Sequence, residues 1–318
     1  MTEHTAISEK ILESLPLRYR VCPHVATYQI PGFSRYRDGI GFSFCPEPVE
    51  MDDWYWSFVS RVRGAMGRSF LPICRLADGE FRMLFWPVLP NPRHSAAQRV
   101  KDALVTVIEA AEMAVRGFRA NTLPHVSSGQ FSAREWSSIR RRASDAFQHV
   151  GREGILAMHL GVAKQPFQEQ YFPSIRRWLA EGGLELSLQN YVPFYFVYAL
   201  LRGPAGDFIF EGRRVVVVHS AEGDRQRKIT EAIKRRGAET VNWIHISRAR
   251  SFADRLDVSE LVGRCDVCLV GAGVGKAIVM EQLRPLAVPV IDAGFVFEAW
   301  ADERRALTRP FMIPDERQ

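Results

Sequence analysis

The last third of the chain alternates apolar runs with helix-like stretches, and this alternation constrains the fold more than any other feature. Residues 215–218 are four consecutive valines, a run typical of a strand that is covered on both faces. Similar runs follow at 241–246, 267–270 and 288–294, with helix-like segments between them. Strands that alternate with helices indicate parallel β-α units with right-handed crossovers. We therefore expect an α/β fold with a parallel Rossmann-like sheet flanked by helices.

Glycine and proline at 202–206 divide the chain and predict its organisation. Residues 1–50 read as an irregular N-terminal arm, 51–205 as an N-terminal α/β part with a helical insertion, and 206–318 as a C-terminal Rossmann-like α/β part. Within the middle part, apolar periodicity predicts helices at 52–66, 95–119, 132–150, 174–181 and 188–201. The apolar face of the second of these helices, which includes Val100, Leu104, Val107 and Ile108, is expected to lie in the core.

Composition indicates a soluble globular protein, because 47% of the 318 residues are hydrophobic and 25% are charged. We see no run of about 20 apolar residues that would span a membrane and no secretion signal. Five cysteines, odd in number and sparse, favour a reducing, cytoplasmic location. Cys265 and Cys268 have the spacing of half a zinc ribbon, but they lead into an apolar strand, so we expect buried thiols.

The formal net charge of +6 favours an anionic ligand such as a nucleotide, a phosphorylated lipid or a nucleic acid. Arginine-rich clusters occur at 140–142, 176–177, 213–214 and 234–236. They are dispersed and carry no interleaved aromatic residues, so each is more typical of a solvated face than of a nucleic-acid surface.

An acidic segment follows the apolar run at residues 70–76 and is the best candidate for chemistry. Asp78 and Glu80 flank Gly79, which we expect to allow a tight turn that brings the two carboxylates together. Two such carboxylates make a half-site for Mg²⁺ or Mn²⁺. Arg75, three residues upstream of Asp78, could pair with one carboxylate or contact a phosphate. A solvated surface turn is the alternative interpretation.

A glycine-rich segment follows the predicted strand at 267–270. Gly271, Gly273 and Gly275 precede Lys276, but the spacing matches neither the dinucleotide fingerprint nor the phosphate loop of NTPases. A glycine turn at a helix N-terminus still presents backbone N–H groups, and together with the lysine charge it suits a diphosphate. Glu222, in the exit from residues 214–219, is a further candidate for a cofactor-binding site at this edge. A tight turn with an exposed lysine is the alternative.

The order of these motifs resembles that of the GT-D fold glycosyltransferases. The family's Arg-Phe-Gly-Asp-Gly-Glu motif stands here as Arg-Leu-Ala-Asp-Gly-Glu at 75–80, and its later glycine stretch and Asp-Ile-Gly-His correspond to 270–278 and 292–295. The resemblance covers roughly residues 55–300. Ala77 replaces a glycine of the motif, and Phe295 stands where the family tends to have histidine.

The resemblance implies a metal-dependent glycosyltransferase of the hexosyltransferase type. Asp78 and Glu80 would hold Mn²⁺ or Mg²⁺ on the diphosphate of a nucleoside diphosphate sugar, and Arg75 would support this pair. With Phe295 in place of histidine, Glu298 or Asp292 becomes the candidate base, although Asp292 could equally cap the strand exit. The acceptor would be a hydroxyl of a glycan, a protein or a lipid-linked saccharide, as in polysaccharide biosynthesis, and the sequence leaves room for a homodimer.

Three other functions remain open at this point. A metal-dependent phosphohydrolase or nucleotidyltransferase could use the same two carboxylates, but it would normally need further metal ligands. The basic composition allows a nucleic-acid-binding or nucleic-acid-modifying protein, including a sugar transferase that acts on modified DNA bases. An inactive scaffold of the same fold would bind neither metal nor nucleotide.

Overall fold

The computed structural model describes residues 49, 51–85, 133–158, 172–248 and 250–307, together with parts of 96–108 and the pairs 118–119 and 130–131. The predicted N-terminal arm lies almost entirely outside these residues. The following paragraphs refer to the described residues.

Among the described residues, the N-terminal half contains five strands and six helices, besides the helical residues between 96 and 108. In chain order these are α1 (Met51–Ala65), β1 (Leu71–Leu76), α2 (Asp78–Phe85), β2 (Phe118–Arg119), β3 (Gln130–Phe131), α3 (Ala133–Glu153), β4 (Ile155–Met158), α4 (Phe172–Glu181), β5 (Tyr191–Pro193), α5 (Phe196–Arg202) and α6 (Asp207–Phe210). The periodic apolar positions of α1, α3 and α4 explain why these segments are helical. Their extents agree closely with the predicted helices.

The C-terminal half repeats strand and helix in the order that the sequence predicts. Its elements are β6 (Arg214–His219), α7 (Gly223–Arg235), β7 (Thr240–His245), β8 (Val267–Gly271), α8 (Lys276–Gln282), β9 (Pro289–Asp292), α9 (Phe295–Ala301) and α10 (Glu303–Leu307). The predicted helix near 258–262 is a single 3₁₀ turn, Ser259–Leu261. Another 3₁₀ turn, Gly273–Gly275, immediately precedes α8.

Seven strands form one parallel sheet in the order β5-β4-β1-β9-β8-β6-β7, and β2 and β3 form a separate two-stranded ribbon. The expected parallel α/β architecture is therefore correct. β1 pairs with β9, with Ile73 opposite Ile291, so strands from both sides of the predicted boundary at 205 share one sheet. Because the strands are parallel, their carboxyl ends all lie along one edge.

Two groups of helices cover the sheet. α2 contacts α3 and α4, and α3 also packs against α8, β1 and β4. In the other group, α9 contacts α5 and α7. β1 and β4 are buried along their whole length, and β6 and β8 are buried at all but one residue each, because helices cover both faces of the sheet.

The predicted helix at 188–201 is wrong in its first half. Tyr191–Pro193 forms β5 and pairs with β4, and the helix α5 begins only at Phe196. Pro193 lies at the end of an edge strand, where its missing N–H group removes no bond from the sheet. Aromatic residues suit both states, so only pairing with β4 distinguishes them.

The predicted helix at 95–119 is correct in part. The described residues between 96 and 108 are helical, whereas Phe118–Arg119 forms β2. The apolar side chains assigned to the core are instead more than half exposed: Val100 60%, Leu104 56%, Val107 64% and Ile108 58%. A one-sided apolar pattern predicts a helix, but it does not determine what packs against that helix.

Two of the compositional predictions can be compared with the structure. Within the described part of the chain, no helix is both long and apolar enough to cross a membrane. Cys74, Cys265 and Cys268 are free and buried. The thiols of the Cys265–Cys268 pair are therefore buried, as the apolar run beside them predicts.

Replacement of Gly154 should destabilise the sheet. A Cβ atom at Gly154, which joins α3 to β4, would lie 2.0 Å from the carbonyl oxygen of Pro72 in β1. We expect Gly154→Ala to lower the free energy of unfolding by about 1–3 kcal/mol in urea titrations, since a well-packed interior resists added volume. The matched control is Gly64→Ala in α1, where a Cβ meets nothing within 4 Å. It should stabilise by roughly 0.4–1 kcal/mol; equal effects of the two substitutions would contradict the packing of this junction.

Candidate active site

Four charged side chains converge at the carboxyl edge of the sheet, where β1, β9 and β8 lie side by side. Arg75 is near the end of β1, and Asp292 is the last residue of β9. Lys276 begins α8 after β8, and Glu80 lies in the first turn of α2. The helix that follows β1, α2, packs with α3 on one face of the sheet. The helix that follows β9, α9, packs on α7 on the other face. Ligands of open α/β sheets bind at such divergent strand ends.

The acidic segment forms the start of a helix, not the turn that the sequence predicts. α2 begins at Asp78, and the N–H group of Phe81 donates to the carbonyl of Ala77 at 2.9 Å. The N–H group of Ala77 donates to Oε2 of Glu80 at 3.0 Å. This side-chain cap satisfies one of the free donors at the helix start and fixes Glu80 over the edge of the sheet.

The four side chains form one chain of ion pairs. Nη2 of Arg75 donates to Oδ1 of Asp292 at 3.0 Å, and the backbone N–H of Arg75 donates to Oδ2 at 3.2 Å. Nζ of Lys276 lies 2.8 Å from Oδ2 of Asp292 and 2.8 Å from Oε1 of Glu80. We call these four residues the edge network. It contains two cations and two carboxylates, so its formal charge is zero.

Burial and pairing together determine the ionisation of the edge network. Its members are between 1% and 7% exposed. Burial raises the pKa of Asp292, but the charges of Arg75 and Lys276 outweigh this effect and hold it below its ordinary value. Burial lowers the pKa of Lys276, yet Asp292 and Glu80 raise it above its ordinary value. Both groups therefore stay charged near neutral pH, and neither is prepared to exchange a proton there.

Arg75 has two side-chain donors that no described residue satisfies. Its guanidinium lies 4.6 Å from the ring centre of Tyr198 and 5.2 Å from that of Phe194. Nε and Nη1 are buried and have no hydrogen-bond partner among the described residues. Gly294 (φ +42°) makes room for Arg75, since a Cβ there would lie 1.8 Å from Nη2. Buried guanidinium donors without acceptors favour a bound oxygen-rich ligand or water beside Arg75.

The glycine segment is packed against neighbouring residues. A Cβ at Gly271 would lie 2.3 Å from Cδ2 of His219, and one at Gly275 would lie 2.6 Å from Oγ of Ser251. Gly273 opens the 3₁₀ turn with φ +54°. Lys276 is buried in the edge network, so the exposed lysine of the alternative interpretation is wrong. Its charge is already balanced by Glu80 and Asp292.

The two remaining carboxylates predicted for the site lie elsewhere along the same edge. Glu298 is in α9, where it pairs with Arg225, and its Oε2 accepts from Nη1 of Arg305 at 2.8 Å. Glu222 is exposed and immediately precedes α7, after β6. β8 separates β6 from β9. The structure thus brings Arg75, Glu80, Lys276 and Asp292 together, and it places Glu298 and Glu222 in separate surroundings.

The predicted metal ligands fit a divalent cation only in part. Both carboxylate oxygens of Glu80 already have partners, Lys276 and the N–H group of Ala77. The ammonium group lies between Glu80 and Asp292, where a metal ion bound by these two carboxylates would have to lie. The side chain of Asp78 is outside the described atoms. Among the side chains that are described, no cluster of three His, Cys, Asp or Glu residues could hold a metal.

His219, which the sequence analysis did not single out, lies at the same edge. It ends β6 and packs on Phe297, with ring centres 4.8 Å apart. Its Nδ1 accepts from the N–H of Ala221 at 2.9 Å, so the ring proton is on Nε2 when the ring is neutral. Burial, followed by nearby Arg225, lowers its pKa to about 4. The sequence did contain a signal for His219, because it is the polar residue that ends the valine run at 215–218.

The fold and this edge define the class: a parallel α/β protein with a buried charge network at the carboxyl ends of its central strands. A scan against protein-family models finds no match, and a search of curated proteins finds no similar sequence. Among solved structures, the chain is similar to a selenomethionine-substituted structure of domain of unknown function 1792, at 10% identity and a TM-score of 0.42. That similarity covers 77% of this chain and 85% of the other.

Loss of Asp292 should destabilise the protein strongly. Asp292→Asn leaves the buried charges of Arg75 and Lys276 without their shared counter-ion, which typically costs about 3–5 kcal/mol of unfolding free energy. Equilibrium denaturation at pH 7 measures the loss. The control is Asp302→Asn, which removes an exposed ion pair with Arg304 and should leave the transition almost unchanged. If both variants unfolded at the same denaturant concentration as the wild type, the edge network would contribute little to stability.

His219 should make stability depend on pH. Its folded pKa of about 4 lies below the ordinary value of 6.5, so the unfolded chain binds a proton first as the pH falls. This contribution to stability is complete above pH 6.5 and declines between pH 6.5 and 4, by about 1.4 kcal/mol per pH unit in the steepest part. His219→Gln should flatten this part of the curve in urea titrations at pH 7.5, 6 and 5. An unchanged slope would contradict a buried neutral imidazole.

Proposed function

We propose that this protein is a glycosyltransferase of the GT-D type, which moves a sugar from a nucleoside diphosphate sugar to a hydroxyl of a glycan, protein or lipid-linked acceptor. The sequence motifs and the position of the edge network support this proposal together. Transfer of a hexosyl group, the metal requirement and the identity of the donor are parts of the same proposal.

The convergence of Arg75, Glu80, Lys276 and Asp292 at one strand edge carries the argument. Arg75 and Glu80 come from the acidic motif at 75–80. Lys276 and Asp292 come from the segments at 270–278 and 292–295, about 200 residues later in the chain. Buried charges are costly and concentrate where a protein needs fixed electrostatics. The motif residues are thus placed at the edge where α/β proteins bind their ligands.

Arg75 is the residue that we propose to contact the donor. Its Nε and Nη1 donors lack acceptors among the described residues, and phosphate or sugar oxygens are suitable acceptors. Stacking on Tyr198 and pairing with Asp292 fix the plane of the guanidinium. A guanidinium group fixed in this way stabilises negative charge on a leaving diphosphate without rearrangement during the reaction.

The remaining members of the edge network position Arg75 in this proposal. Arg75 and Lys276 both pair with Asp292 and lower the pKa of its carboxyl group, which makes Asp292 a poor general base at neutral pH. Its role is to orient Arg75, and Lys276 connects it to Glu80. Glu298, in the first turn of α9, is the remaining candidate base, and what distinguishes it from Asp292 is access. Its side chain is 26% exposed, so an acceptor can reach it, although it too pairs with two arginines, Arg225 and Arg305.

A divalent ion is proposed with Asp78 as its ligand. When bound, such an ion would neutralise the diphosphate. Glu80 could join Asp78 only if Lys276 gave up its contact, so no step of the proposed reaction depends on Glu80 as a ligand. Metal dependence is therefore one of the outcomes that the binding experiment decides.

The nucleic-acid alternative receives less support from the described residues. Arg214 binds both oxygens of Asp266, and Arg236 binds Asp207 and the carbonyls at the end of α5. Arg142 donates to the carbonyl of Phe252 at 3.3 Å, so three of the four basic clusters contribute residues to internal contacts. A salt series with non-specific duplex DNA separates the two functions, because a phosphate-binding surface gives a steep salt dependence.

Binding of nucleotides, four nucleoside diphosphates and one monophosphate, provides the test. We expect one of UDP, GDP, dTDP, ADP and CMP to raise the melting temperature in the presence of Mn²⁺, since a ligand at about 100 times its Kd stabilises by roughly 2.7 kcal/mol. Asp78→Asn should abolish the Mn²⁺-dependent part. Asp224→Asn, which alters an exposed ion-pair group on α7, should keep it.

The other outcomes are also informative. A shift that is independent of Mn²⁺ and survives Asp78→Asn would remove the metal from the proposal and leave Arg75 and the edge network as the donor site. The absence of a shift with every nucleotide would reject a nucleotide-sugar donor.

A further inference from the structure

A surface cavity of about 410 Å³ lies at the other edge of the sheet, away from the edge network. It is lined by Ser60, Arg63, Gly64, Met66, Arg68 and Arg213. These residues come from the end of α1, the segment that leads into β1, and the position immediately before β6. Because the strands are parallel, the starts of β1 and β6 lie opposite the carboxyl ends that carry the edge network. We call this feature the arginine cavity.

The lining of the arginine cavity carries three positive charges and no carboxylate. The nearby acid, Asp266, is already engaged, because Arg214 binds it through Nε at 3.1 Å and Nη2 at 2.9 Å and also through its backbone N–H group. Three guanidinium groups around one space repel one another unless an anion lies between them. The charge of the cavity therefore favours an anionic ligand.

Two of the arginines have donors available for such a ligand. Nε of Arg213 is buried and has no hydrogen-bond partner in the described part of the chain. The guanidinium of Arg63 lies over the ring of Phe208, 5.3 Å from its centre. Stacking uses the face of a guanidinium and leaves its N–H groups, which point outward in the plane, free to bind oxygen. The arginine cavity thus combines fixed orientation with unsatisfied donors.

We infer that the arginine cavity binds a small phosphorylated anion. Guanidinium groups match the oxygens of a phosphate in bidentate geometry. The volume of about 410 Å³ is in the usual range for a small-molecule site and exceeds the size of one phosphate group. The ligand class is therefore a phosphate ester or a short polyphosphate. Since no carboxylate lines the cavity, this binding needs no metal ion.

Isothermal titration with inorganic phosphate in the presence of EDTA, at constant ionic strength, tests this inference. EDTA removes the metal-assisted part of the proposed function, and the arginine variants separate the arginine cavity from Arg75, which could also bind phosphate. We expect the wild-type protein to bind phosphate, and the double variant Arg63→Gln/Arg213→Gln to bind it at least about tenfold more weakly. Each single variant should lie between the two. The control Arg304→Gln, on exposed α10, should bind as the wild type does.

Three results would overturn the inference: no phosphate binding by the wild type, an unchanged affinity of the double variant, or an equal loss in the Arg304→Gln control. The last would indicate a response to net charge alone. Urea titrations check that the variants fold, and the single variants allow a decision if the double variant does not. The double variant should retain any Mn²⁺-dependent nucleotide response, so failure of either proposal can be distinguished from failure of the other.

Discussion

Lys276 extends from the start of α8 to two buried carboxylates, Glu80 and Asp292, and lies 2.8 Å from each. An ammonium group at this depth is stable only with its counter-ions in place, because removal of one partner would leave a buried charge uncompensated. The contact therefore requires β1, β8 and β9 to be adjacent and in register. It joins the two halves of the chain through side chains in the same way that the pairing of β1 with β9 joins them through the backbone.

The same constraint affects the chemistry available at this edge. Asp292 and Lys276 pair with each other, so the charge of each is already balanced within the protein. Arg75 differs, because it gives one N–H group to Asp292 and keeps buried donors without partners among the described residues. An interior ion-pair network that leaves one set of donors unsatisfied is better explained by a ligand than by stability alone. For this reason we propose that Arg75, and not Asp292 or Lys276, contacts the nucleotide-sugar donor.

The sequence predicted most of the secondary structure because apolar periodicity reports local geometry directly. The valine run became β6, and the one-sided helix at 133–153 became α3. Two errors have different causes. Residues 191–193 form a strand because they pair with β4, which is distant in sequence. Residues 78–80 begin a helix because the side chain of Glu80 caps it at Ala77, a local contact that the turn prediction overlooked. The fully one-sided face at Val100 and Leu104 is exposed for a related reason, since periodicity does not identify a packing partner.

The sequence by itself determined the class of fold, since strand and helix patterns depend on local chemistry. Its motifs also contain the four residues of the edge network, Arg75, Glu80, Lys276 and Asp292. The tertiary structure decided how these residues pair. Asp292 binds Arg75 and Lys276, and Glu80 binds Lys276 and caps α2. Glu298 was placed apart from them, and Arg63, Arg68 and Arg213 were gathered at the opposite edge. Such pairings depend on which strand ends become neighbours, and strand order is set by long-range packing that no local pattern encodes.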